Sequence, residues 1–156
     1  MRRHIALMCL LASAAPATAQ MALPPLSDAE VTSIVEAVRP SLPQARLGDG
    51  SQVPRETAAE LAQPILSTPA SRLVIRRGLA SGLLAGCGQD SDARSFLPMM
   101  KAIRETGRFS DKQLAFVGLL HGAMQGLSAA QVYPANCTPA LLSALDHEIS
   151  QPLQIP

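Results

Sequence analysis

His121 is the titratable side chain best placed for chemistry, because Leu120 and Gly122 flank it inside an apolar helical stretch. A histidine so placed can act as a general base or a ligand. The bland alternative is a core histidine satisfied by a backbone carbonyl. His147, between Asp146 and Glu148, reads as solvated surface. Arg72, Arg76 and Arg77 form the densest basic group and suit an anionic partner. Glu105 and Asp111 flank the Gly107 turn and could be imagined as paired carboxylates, but nothing in the sequence fixes their separation and a solvated turn is the preferred reading.

Other chemistry is poorly supplied. No serine sits in a G-x-S-x-G elbow. There is no phosphate-binding loop, dinucleotide fingerprint or zinc spacing. Asp90-Ser91-Asp92 starts like a calcium loop, but Arg94 takes the third ligand position and the closing glutamate is missing. We therefore expect no metal and no cofactor. With no tryptophan, three phenylalanines and one tyrosine, stacking platforms for bases are scarce, so no nucleic-acid partner is expected.

Two cysteines frame the region that holds these residues. Arg2, Arg3 and His4, the apolar run from Ile5 to Ala15, and Ala17-Thr18-Ala19 read as a secretory signal peptide over residues 1–19. Cys9 falls within it, and Ala6-Leu7-Met8 ahead of it do not resemble a lipoprotein signal. Cys87 and Cys137 remain, an even pair in an exported chain, and predict a disulfide. It would close a loop of about fifty residues, worth about 4 kcal/mol in the chain-entropy picture. The expected location is periplasmic or secreted.

Residues 20–156 read as a single all-α domain, a compact bundle of about six helices. Residues 20–26 form an extended leader. Ser27-Asp28-Ala29-Glu30 is a capping box for a helix with Val31, Ile34, Val35 and Val38 on one stripe. Residues 40–53 are connector, rich in proline and glycine. A short helix is expected from about Pro54 or Thr57 to Gln63, with Thr57-Ala58-Ala59-Glu60 as a candidate capping box and Pro64 at its end. Thr68-Pro69 opens a long one that ends at Gly88, and Ser95 caps the next. Ser110-Asp111-Lys112-Gln113 opens the central helix, apolar nearly all round, with Gly126 as its expected terminator. Leu127-Ser128-Ala129-Ala130-Gln131 repeats the capping pattern for a short further helix, and Thr138-Pro139 opens the last.

Glycine recurs at every fourth position in two of these helices, as Gly78, Gly82, Gly86 and as Gly118, Gly122, Gly126. Interior glycines cost about 1 kcal/mol each against alanine. Close backbone approach is the natural compensation, so the two central helices are expected to cross on their glycine faces. A glycine-zipper oligomer or membrane-active segment is the alternative, although both apolar runs are too short to span a bilayer.

The charge is divided. Residues 72–112 hold eight Lys/Arg and four Asp/Glu, while the other residues after the signal hold three and eight. Two segments that neutralise each other explain this, and so does a basic surface for an anionic partner. The function expected is an exported, non-enzymatic helical module that binds a protein or an anionic envelope component. A small hydrolase using His121, or a self-associating glycine-zipper protein, is the alternative. The sequence leaves the oligomeric state open.

Overall fold

The computed structural model describes Leu23 and residues 25–153. The proposed signal peptide, most of the leader and the last three residues lie outside them. Among the described residues there are six α-helices and no strand: α1 Asp28–Val38, α2 Ala58–Leu61, α3 Thr68–Gly86, α4 Leu97–Glu105, α5 Asp111–Ala129 and α6 Pro139–Ser150. Short 3-10 turns cover Arg39–Gln44 and Pro134–Asn136, and a π-helical turn covers Asp92–Phe96. None of the described helices is long and apolar enough to cross a membrane.

Local chemistry sets most helix starts. Ser27, Thr57 and Ser110 each cap a helix and are answered by Glu30, Glu60 and Gln113 in complete capping boxes. Each box satisfies two otherwise orphaned backbone donors. Thr138 caps α6, with Pro139 in its first turn. Left-handed glycines end two elements, Gly88 at φ +70° and Gly107 at φ +63°.

α3 and α5 form the centre. Val74 and Ile75 from α3 meet Phe116, Val117, Leu120 and Met124 from α5 in the main core. α1 adds Val31, α4 adds Met100 and Ile103, and the connector adds Leu42 and Val53. Residues 40–53, expected as connector, bury two aliphatic side chains and pair Arg46 with Gln52 in one antiparallel bridge. A second, smaller cluster joins Ala80 and Leu84 of α3 to Leu141 and Leu145 of α6. Cys87 and Cys137 are disulfide-bonded beside it, with Cα atoms 5.5 Å apart.

The helix crossing differs from the expected one. A Cβ built on Gly78 would lie 2.6 Å from the His121 carbonyl oxygen, and one on Gly86 would lie 2.6 Å from Val132 Cβ. One on Gly82 would collide with Ser128 Oγ and the Gln125 carbonyl oxygen. The glycine lane of α3 is therefore a real close contact. Gly118, Gly122 and Gly126 of α5, by contrast, would meet nothing described within 4 Å. They lie on another face of α5, and the two glycine faces do not cross. The reason lies in what else α5 carries. Burying Phe116, Val117, Leu120 and Met124 is worth about 1.5–3 kcal/mol each, and three glycines offer little apolar area in competition.

Three boundaries also differ. Gly126 does not end α5, which runs on to Ala129. The expected short helix after Leu127 is absorbed into it, because Ser128 is buried and bonds the Leu79 and Met124 carbonyls instead of capping. Ser67, not Thr68, caps α3, and Ser95 points inward from the π-helical turn instead of capping α4.

Candidate functional site

Three elements converge on His121. α5 carries the imidazole, α3 carries Ser81, and the π-helical turn carries Ser95 and Phe96. Ser81 Oγ lies 2.9 Å from His121 Nε2 and 2.8 Å from Ser95 Oγ. The Phe96 ring stands over the imidazole with centroids 4.8 Å apart. A core histidine of this kind was expected to find a backbone carbonyl. Here the Nε2 partner is a serine hydroxyl.

Ser81 is fully buried and His121 is 1% exposed. Burial disfavours the imidazolium and pushes the His121 pKa down to about 4, against a weaker opposing pull from Asp92. The imidazole is neutral at pH 7. A neutral histidine beside a serine is half of a nucleophilic pair. Neither the groove and recess described below nor the recess at the α4–α5 face has Ser81, Ser95 or His121 among its walls. The pair has hydrogen-bond geometry and is closed in by burial on all three residues, and it bridges α3, α5 and the π-helical turn as a polar contact inside the core.

The basic residues are largely spoken for. Arg72 bonds the Leu26 carbonyl and pairs with Asp28. Arg76 grips both Glu148 oxygens at 3.0 and 2.8 Å. Arg94 pairs with Asp146, and Lys112 with Glu60. These four pairs join the basic segment to acidic residues outside it, as the neutralising reading of the charge division requires. Lys112, with help from the capping box, holds the Glu60 carboxyl down at about 2. Arg77 is different: it donates from Nη2 to the Gln151 carbonyl at 2.6 Å and has no carboxylate in ion-pair contact among the described residues.

The other candidates stay apart. His147 is exposed and contacts only the Gln151 amide and Ser150 hydroxyl nearby. Glu105 pairs with Lys101 within α4, while Asp111 sits in the first turn of α5. Asp90 accepts from the Ala93 N–H in a local turn. No group of three or more His, Cys, Asp or Glu that could hold a metal gathers among the described residues.

One feature had no sequence signal. An open groove of about 1120 Å³ runs between the end of α1 and residues 52–61. Pro40, Pro43 and Pro54 wall it, buried Val53 lines it, and Leu61 stands exposed at its edge. Arg39 fixes its shape. Its guanidinium holds both Glu56 oxygens and also bonds the Glu60 carbonyl at 2.7 Å and the Gln63 carbonyl at 3.0 Å. Arg39 and Glu56 are 17 residues apart, beyond the reach of any helical spacing rule.

No protein-family model matches the chain, and comparison with curated proteins and with solved structures gave no match.

Proposed function

We propose that this chain is an exported, non-enzymatic helical module that binds another protein. The proline-walled groove is the observation that carries this reading. Its walls are fixed in advance, by three prolines with restricted φ and by the Arg39 fork, so little ordering entropy is lost when a partner docks. It offers an exposed leucine, an exposed arginine at position 55 and the Glu36 carboxylate, a mixture suited to an extended polypeptide. The disulfide between Cys87 and Cys137 fits an oxidising compartment and supports export.

The hydrolase alternative needs a reachable His121, and its closed surroundings count against it. Self-association gains one supporting observation: the Gly118–Gly122–Gly126 lane faces outward. Site-specific photo-crosslinking tests the binding reading. Leu61 and Leu97 are 56% and 57% exposed, and Leu97 lies outside the groove. A photoreactive residue at 61 should give a discrete adduct in the native host, and one at 97 should not. Equal adducts from both positions, or none from 61, would sink the proposal.

A further inference from the structure

A second recess, of about 420 Å³, lies where the side of α3 meets the end of α6. It shares no lining residue with the groove. Arg72, Arg76 and Arg77 line it from α3, Glu148 from α6 and Gln151 from just beyond its end. Pro69, Leu73, Pro152 and Leu153 supply apolar wall.

Among the described residues the charges do not close. Three guanidiniums face this region, and the carboxylates paired with them are Asp28 and Glu148. The unmatched charge belongs to Arg77, which is only 6% exposed. Arginine is rarely buried to that degree without an ionic partner. Its one protein bond is to a carbonyl oxygen, leaving four of the five guanidinium N–H donors without a protein acceptor among the described residues. Desolvation lowers its pKa against a weaker opposing pull from Glu148, and since no buried side-chain nitrogen lacks a partner among the described residues, its unbonded N–H groups open onto the recess. A planar N–H edge of guanidinium matches a carboxylate with two parallel hydrogen bonds. One unmatched positive charge suits one negative charge, and the leucine and proline walls suit a hydrocarbon body.

We propose that this recess binds a small organic monocarboxylate, with Arg77 taking the carboxylate and Leu73 and Leu153 flanking the apolar part. The probe is hexanoate, followed by NMR of the protein with labelled leucine methyls. Hexanoate should shift the Leu73 and Leu153 methyls in a saturable way. Hexanol, which lacks the charge, should bind about tenfold more weakly or less. Arg77→Gln keeps a donor for the Gln151 carbonyl and should abolish the saturable shift. Should that variant fail to fold, Leu153→Glu puts a competing carboxylate at the recess and should also abolish it. Hexanol binding as tightly as hexanoate would reduce the recess to a greasy cleft and overturn the proposal. So would inorganic phosphate competing at equal strength, or hexanoate binding that survives Arg77→Gln.

Discussion

Gly82→Ala and Gly122→Ala form a matched pair that isolates the α3–α5 contact. Both positions are helix interiors with ordinary φ, so alanine should gain about 1 kcal/mol of helix propensity at each. Gly122 faces open space, so the full gain should appear, raising the melting temperature by about 3 °C for a domain of this size. At Gly82 the new methyl would collide with the Gln125 carbonyl oxygen and Ser128 Oγ, and would lie 2.8 Å from the Ala129 nitrogen. Two of these atoms are backbone, so relief requires α3 and α5 to separate. Separation would also stretch the bond from Ser128 to the Leu79 carbonyl, 2.9 Å long in the native packing. Overpacking of this kind costs about 1–3 kcal/mol and occasionally more. Because the clash is with backbone, the upper part of that range applies, and the net loss should be about 1–2 kcal/mol after the propensity gain. Thermal and urea melts report the stabilities, and sedimentation reports mass. A Gly82→Ala protein as stable as Gly122→Ala would refute the close crossing. A Gly122→Ala protein that loses mass would show that the outward lane pairs molecules.

Acid should weaken the fold through His121. Its pKa is near 6.5 unfolded and about 4 folded, so its contribution is complete above pH 6.5 and lost as pH falls toward 4. Between pH 7 and 5 the loss should be about 2 kcal/mol, read from urea melts. His121→Gln should flatten that slope, and an unchanged slope would mean that another group titrates. Arg39→Ala strands Glu56, whose side chain is 6% exposed, and should cost about 3–5 kcal/mol, while Arg39→Ala with Glu56→Ala should cost less. A double mutant as unstable as the single one would remove the stranded charge as the cause. Mass spectrometry of the protein purified without reductant should find Cys87 joined to Cys137, and reduction should cost about 4 kcal/mol. Ready alkylation of both thiols without reductant would contradict this.

Features written locally in the sequence were legible. The capping boxes at Ser27, Thr57 and Ser110 each need only four consecutive residues; those at Ser27 and Ser110 start helices where expected, and the one at Thr57 is the later of the two starts the sequence allowed. The disulfide was legible because, with Cys9 assigned to the expected signal peptide, the two remaining cysteines allow one pairing. Misreadings came where tertiary partners outbid local signals. Ser128 and Ser95 both look like caps, yet each finds a buried partner that no local rule contains, the Leu79 carbonyl for one and Ser81 for the other. The glycine lanes of α3 and α5 share one spacing, and spacing does not say which lane faces inward. That choice follows from the aliphatic and aromatic residues around each lane, summed over the helix. The Ser81–His121 contact spans 40 residues, and the Arg39–Glu56 fork 17, so both emerge only from the assembled chain.

The disulfide has a consequence for motion. α6 rests on its own small cluster with Ala80 and Leu84, apart from the main core, and two ion pairs hold it from α3 and the π-helical turn. Such a unit opens by itself at a lower free energy than the whole fold. Cys137 lies just ahead of its first turn and is tied to Cys87 at the end of α3. When α6 lifts, it swings on a tether of a few residues, and its return is an intramolecular event at high effective concentration. The end of α6 opposite the disulfide is the one whose Gln151 carbonyl bonds Arg77, so any such opening would loosen that contact first while the disulfide kept the other end in place.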